Sequence, residues 1–187
     1  MEEDMKTIQL EIDGIEVRAN EGTTILDAAA QNGINIPNFC HHEKLHPYGA
    51  CRLCMVEISK NGRSKLVASC VYEVEPDLVV KTNTKRIRKI RRMIIELAGP
   101  ALQCLAEEYG VTESRFPPDQ TECSLCGLCV RYCAEVKKLN AVYFKNRGID
   151  REVAIVPGFE RECTYCRECF DLCSGGLIVA LCDRAFA

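Results

Sequence analysis

The sequence predicts an α+β protein of two small metal-binding domains joined by a helical linker, on three observations. Near the N-terminus, alternating apolar residues flank Asp13-Gly14 and lead into a helical stretch. In the middle, residues 84–98 are amphipathic and strongly basic. Across 187 residues there are 14 cysteines, eight of them in two runs of identical spacing.

Those runs are Cys123-Ser-Leu-Cys126-Gly-Leu-Cys129-Val-Arg-Tyr-Cys133 and Cys163-Thr-Tyr-Cys166-Arg-Glu-Cys169-Phe-Asp-Leu-Cys173, both C-x2-C-x2-C-x3-C. This is the spacing of bacterial ferredoxins that carry two 4Fe–4S clusters, where the fourth cysteine of each run serves the other cluster. One cluster is therefore expected on Cys123, Cys126, Cys129 and Cys173, the other on Cys163, Cys166, Cys169 and Cys133. Zinc is the alternative, since paired C-x2-C motifs also build tetrahedral zinc sites, but a third cysteine at x2 and a fourth at x3 would be surplus to it. The proline that usually follows the fourth cysteine is missing: Ala134 and Ser174 stand there, and Gly175 and Gly176 can supply a turn.

Such cysteine density is usual in oxidised secreted proteins. The acidic start Met1-Glu2-Glu3-Asp4 lacks an apolar signal core, and the longest apolar run, Leu177 to Cys182, is too short to cross a bilayer. Reduced, metal-binding thiols in the cytoplasm of a low-oxygen cell are expected, with no membrane insertion. The net charge of −3 gives no call for nucleic acid. Residues 118–187 are too few to be held well by burial alone, so metal binding would supply much of their folding free energy.

In chain order, residues 7–18 read as a hairpin turning at Asp13-Gly14. A helix follows, capped by Thr23 or Thr24, running through Ile25, Leu26 and Ala28 to Ala30 and closed by Gly33. Strand, strand, helix and then a cysteine-bearing loop is the order of a β-grasp ferredoxin domain, expected over residues 1–83. The loop holds Cys40, Cys51 and Cys54, and after a strand from Met55 to Ile58 and an Asn61-Gly62 turn comes Cys70. Four thiolates suit a 2Fe–2S cluster, which needs two per iron, although the first gap is longer than in plant-type ferredoxins.

The runs Ile36-Pro37-Asn38-Phe39-Cys40-His41-His42, Pro47-Tyr48-Gly49-Ala50-Cys51-Arg52-Leu53-Cys54-Met55-Val56-Glu57 and Ala68-Ser69-Cys70, with Val79-Val80-Lys81-Thr82 as a closing strand, carry a resemblance. They resemble the N-terminal 2Fe–2S domain of the complex I large iron–sulfur subunit, of iron-only hydrogenases and of the small diaphorase subunit of NAD-reducing hydrogenases. In that family a histidine and three cysteines usually bind an extra 4Fe–4S cluster after the central helix. Here Gly99-Pro100 leads straight into residues 101–110 with Cys104 alone and no histidine beyond His46, so that site is expected to be deleted.

The helix over 84–98 places Ile87, Ile90, Ile94 and Leu97 on one face and Lys85, Arg86, Arg88, Lys89, Arg91 and Arg92 on a solvated basic face that could also dock an acidic partner. It opens a linker over 84–117. Cys104 and Cys182 read as small buried residues. Pro117-Pro118-Asp119 marks the start of the two-cluster domain over 118–187, with strands at Ala141–Phe144 and Val153–Val156 around Asn146-Arg147-Gly148. Tyr132, Tyr165 and Phe170 are expected to shield the clusters. His41, His42 and His46 are read as solvent-facing or outer-layer residues, since four cysteines already complete the 2Fe–2S set.

No Gly-rich dinucleotide fingerprint, P-loop or nucleophile–base pair is present, so no catalytic residue is assigned. Three clusters without a substrate site make an electron relay. The resemblance implies an electron-transfer subunit of a cytoplasmic NAD(P)-linked oxidoreductase, such as an electron-bifurcating hydrogenase, formate dehydrogenase or transhydrogenase. Its partners would be a flavin- and NAD(P)H-binding subunit and a further redox subunit. A free-standing polyferredoxin shuttle and an iron–sulfur redox sensor are the alternatives.

Overall fold

The computed structural model describes residues 6–113, 115, 123–173, 176, 178 and 181. The expectations placed on Met1–Asp4, Pro117–Asp119, Ser174, Gly175 and Cys182 lie outside the described residues. The chain forms two compact units, one of residues 1–41 and 47–94, the other of residues 42–46 and 95–187.

In the first unit β1 (Thr7–Ile12) and β2 (Ile15–Asn20) pair antiparallel from Thr7–Asn20 to Ile12–Ile15. Asp13 and Gly14, at φ 50° and 84°, make the turn whose twist matches the strands. β1 alternates strictly, burying Ile8, Leu10 and Ile12. α1 (Ile25–Gln31) starts at Thr24, whose hydroxyl oxygen accepts the Asp27 N–H at 3.1 Å, and buries Ile25, Leu26, Ala28 and Ala29.

β3 (Met55–Lys60) turns through Asn61-Gly62 into β4 (Arg63–Ala68), and β5 (Val79–Lys81) closes the sheet in the order β2-β1-β5-β3-β4. β5 runs parallel to β1 and antiparallel to β3. Asp13 locks it in place by accepting the Thr82 N–H at 2.8 Å and the Thr82 hydroxyl at 2.5 Å. Val56, Ile58 and Val80 complete the core, and each such buried side chain contributes about 1.5–3 kcal/mol. A mixed five-stranded sheet with a helix packed against it is the α+β arrangement expected of the N-terminal domain.

α2 (Lys85–Ala98) differs in its buried face. Ile87, Arg91 and Ile95 are buried at i, i+4 spacing, whereas Leu97 is 61% exposed. The expected apolar face is thus rotated, because Arg91 has polar partners inside and takes an inward position. Gly99–Leu102 tighten into a 3₁₀ turn and α3 (Gln103–Ala106) follows. Cys104 is exposed there, contrary to expectation, because Ala106 takes the buried position of this single turn.

The second unit holds α4 (Leu128–Glu135), the hairpin β6 (Val142–Lys145) and β7 (Glu152–Ile155), and α5 (Glu160–Cys166). Its core is rich in cysteine: Cys129, Cys133 and Cys163 are buried with Ala141, Val142, Val153 and Ile178. Leu45 packs with Leu128 and Tyr132, the His46 N–H donates to Glu135 Oε2 at 2.9 Å, and Arg131 donates to the His46 carbonyl. Tyr132 is buried and Phe170 half-buried, as expected of shielding groups. Tyr165 is 88% exposed, because α5 turns Cys163 inward and leaves Tyr165 on the outer side.

Candidate metal centres

In the first unit the folding of the 69–74 segment brings Cys70 to the loop. The first N–H groups of α1 lack helical acceptors. Ile25 N–H donates to the Tyr72 carbonyl at 2.9 Å and Leu26 N–H to the Ser69 carbonyl at 3.1 Å, which pins the segment on both sides of Cys70. From the other side the Ser69 N–H donates to the Cys54 carbonyl at 3.2 Å. Arg52, at φ 61°, turns the chain between Cys51 and Cys54.

Cys40, Cys51, Cys54 and Cys70 come together as two pairs. Cys51 N–H donates to Cys40 Sγ at 3.4 Å, and a thiol hydrogen bond to Cys40, followed by burial, pushes the Cys51 thiol up. Cys70 is hydrogen-bonded to Cys54; that bond holds Cys54 down at about 6 and pushes Cys70 up. Backbone N–H groups face the sulfurs as well: that of Leu53 toward Cys51, that of Cys70 toward Cys54 and that of Gly49 toward Cys70. Gly49 sits at φ 64° with Val71 Cγ1 3.3 Å from where its Cβ would be. A larger residue would push the donor amide off the sulfur.

This donor set fits a 2Fe–2S centre. Two thiol pairs supply two ligands per iron, and amide donors around the sulfurs are a main influence on such centres. Ser69 adds an independent observation. Its side chain is fully buried beside Cys54, where its hydroxyl, after the stronger effect of Cys70, helps hold the thiol down.

In the second unit α4 carries Cys129 and Cys133 and α5 carries Cys163 and Cys166. Gly127, at φ 78°, starts α4 in a conformation open to glycine, and a Cβ there would meet Phe144 Cζ at 3.2 Å. Burial, and then the charges of Cys169, Cys126, Cys173 and Cys123, push the Cys129 thiol up. Burial, and then Cys133, Cys163 and Cys166, push Cys169 up to about 12. Ala141 N–H donates to Cys133 Sγ at 3.2 Å. All eight cysteines of the two runs thus lie around one buried region, with Cys173 among the neighbours of Cys129 and Cys133 among those of Cys169. Among the described residues no disulfide forms, and no three metal-binding side chains close on a single ion.

The histidines hold no place in either set. His41 Nε2 lies 3.4 Å from Asp27 Oδ1, the His42 ring meets Tyr132 edge-on at 5.9 Å, and His46 is exposed. One side chain beside the site escaped the sequence reading: Arg91, assigned to the solvated basic face, is 2% exposed. Its Nε donates to the Leu53 carbonyl at 2.9 Å and its Nη2 to the Met55 carbonyl at 3.0 Å, the residues on either side of Cys54. The only signal for it was its place between Ile87 and Ile95 in one helical row.

Residues 5–85 match the 2Fe-2S iron-sulfur cluster binding domain family. An NAD+-reducing NiFe-hydrogenase crystal structure in the H2-reduced state is similar at TM-score 0.68 and 31% identity, over 81% of this chain and 76% of that one. The chain belongs to the 2Fe–2S iron–sulfur subunit family of NAD(P)-linked oxidoreductases and hydrogenases. Within it, the NADH-ubiquinone oxidoreductase 75 kDa subunit of Reclinomonas americana is 32% identical over 91% of this chain and 28% of its own length. The NADP-reducing hydrogenase subunit HndD of Solidesulfovibrio fructosivorans is 32% identical over 94% of this chain and 36% of its own. The NADPH-Fe(3+) oxidoreductase subunit alpha of Geobacter sulfurreducens is 30% identical over 92% and 24%. The chain therefore spans about a quarter to a third of the length of these curated family members. No helix among its described residues is long and apolar enough to cross a membrane.

Proposed function

We propose that this protein is an electron-transfer subunit of a multi-subunit NAD(P)-linked oxidoreductase, with one 2Fe–2S and two 4Fe–4S centres. The observation that supports the reading is the gathering of four cysteines in the first unit, and of eight around one buried region in the second, in a chain of this family. Cys40, Cys51, Cys54 and Cys70 would hold the 2Fe–2S group. Cys123, Cys126, Cys129 and Cys173 would hold one 4Fe–4S group, and Cys163, Cys166, Cys169 and Cys133 the other. Such groups, when bound, each take up and release one electron with little structural change.

The protein's own part is to bind, shelter and tune. Buried thiols exclude water, amides of Gly49, Leu53 and Cys70 oppose the sulfur charge, and α4 and α5 fix the spacing of the two C-terminal sets. The proposed domain plan is a β-grasp domain over 1–83, a linker over 84–117 and a two-cluster domain over 118–187. Hydride chemistry needs a nicotinamide or flavin cofactor. The sequence has no dinucleotide fingerprint, so a flavin- and NAD(P)H-binding subunit would supply it and a further redox subunit would take the electrons. A cytoplasmic, low-oxygen setting and a bifurcating complex suit that arrangement.

Anaerobic purification of the tagged chain from its own host tests the proposal. A flavin-containing subunit should copurify, and NAD(P)H should reduce the iron–sulfur groups of the complex. Recovery of the chain alone, inert to NAD(P)H, would contradict it and favour the free shuttle.

A further inference from the structure

We propose that Arg91 is the positioning residue of the 2Fe–2S site and that its fixed positive charge raises the reduction potential of that site. The inference rests on the 2Fe–2S reading above and goes beyond it by assigning a residue that is not a ligand.

Arg91 belongs to α2, yet its side chain is withdrawn from the basic surface that Lys85, Arg86, Arg88, Lys89 and Arg92 expose. It reaches the backbone on both sides of Cys54, with Nε on the Leu53 carbonyl and Nη2 on the Met55 carbonyl. One planar group thereby ties the carbonyls of the two residues that flank a buried ligand. The guanidinium fork suits this geometry, because its donors are rigid and lie in one plane. A lysine could satisfy one carbonyl but not span both in the same way.

Besides tying two carbonyls, the guanidinium brings a charge into the protein interior, where charges are costly to bury. Its second effect follows from electrostatics. A centre held by four thiolates is anionic and gains a further negative charge on reduction. A cation fixed within the same buried region interacts more strongly with the reduced form, and the low local dielectric strengthens that difference. Neighbouring charge is one of the recognised controls on such potentials.

The experiment compares wild type, Arg91→Lys and Arg91→Gln in the full chain, loaded anaerobically with iron and sulfide. Each is titrated potentiometrically with EPR detection of the 2Fe–2S and 4Fe–4S signals, and apo-protein thermal unfolding is measured alongside. Arg91→Gln keeps a donor but loses the charge, and should shift the 2Fe–2S reduction equilibrium toward the oxidised form at least tenfold, which is 59 mV for one electron. Arg91→Lys should stay within about threefold of wild type in potential, while both variants unfold at lower temperature. The 4Fe–4S signals are the internal control and should not move.

A 2Fe–2S potential unchanged in Arg91→Gln, or shifted equally in both variants, would overturn the charge assignment. If Arg91→Gln takes up no iron, Arg91→Lys decides, and a shift beyond threefold overturns the proposal. If neither variant loads, Arg91 is required only to form the site and the charge assignment is withdrawn. A wild-type protein lacking the 2Fe–2S signal would sink the reading of the site itself.

Discussion

Cys51 donates its backbone N–H to Cys40 Sγ at 3.4 Å, although the two lie eleven positions apart in the chain. The contact closes the wide first gap of the N-terminal cysteine set, and Cys54 with Cys70 forms the matching second pair. Each pair is expected to serve one iron. Replacing Cys51 or Cys54 with alanine should therefore remove the whole 2Fe–2S EPR signal and about two irons per chain. Both 4Fe–4S signals should persist. A 2Fe–2S signal surviving either change would show that the pair is not needed.

The two C-terminal runs lead to a crossed prediction. In ferredoxins of this spacing the fourth cysteine of each run serves the other cluster. Cys173→Ala should therefore damage the centre built on Cys123, Cys126 and Cys129 and spare the one on Cys163, Cys166 and Cys169. EPR of the two single-run variants, Cys126→Ala and Cys166→Ala, supplies the reference spectra. Loss of the neighbouring signal alone would reverse the assignment.

Gly127 is expected to tolerate no side chain. At φ 78° an L-residue costs about 1–2 kcal/mol, and the Phe144 ring stands 3.2 Å from the new Cβ. Gly127→Ala should unfold at lower denaturant and retain less iron than wild type, with the 2Fe–2S signal unaffected. Equal midpoints would show that the start of α4 adapts freely.

A pH dependence is expected in the first unit from Glu75. The hydrogen bond from Lys60 at 2.6 Å, then that from the Tyr72 hydroxyl at 2.5 Å, holds its carboxyl below the usual range. A depressed carboxyl pKa contributes stability above the unfolded value and loses it as pH falls through the folded one. Wild type should therefore unfold at higher temperature than Glu75→Gln at pH 7, and the gap should close below about pH 4. A gap that is constant with pH would assign the effect to packing.

Much of this was legible in the sequence because cysteine spacing is a local property. The hairpin at Asp13-Gly14, the Thr24 cap and β6 with β7 could likewise be read from turn residues and alternation. What escaped depended on tertiary surroundings. β4 is an edge strand with exposed Arg63, Ser64 and Lys65, so it lacks the apolar alternation that marks a strand. Arg91 was hidden among five exposed basic neighbours, since a charge on a helix says nothing of backbone carbonyls that fold against it. Cys104 and Tyr165 were read by residue type alone, and each sits on the outer side of a short helix. The long gap after Cys40 was visible as a departure, but the packing of Leu45 with Leu128 and Tyr132 was not.

Metal and sulfide analysis of the anaerobically purified full chain tests the central claim most directly. About ten irons per chain with matching inorganic sulfide, and EPR signals of one 2Fe–2S and two 4Fe–4S centres, are the predicted result. Zinc bound to these cysteines with no sulfide would contradict it.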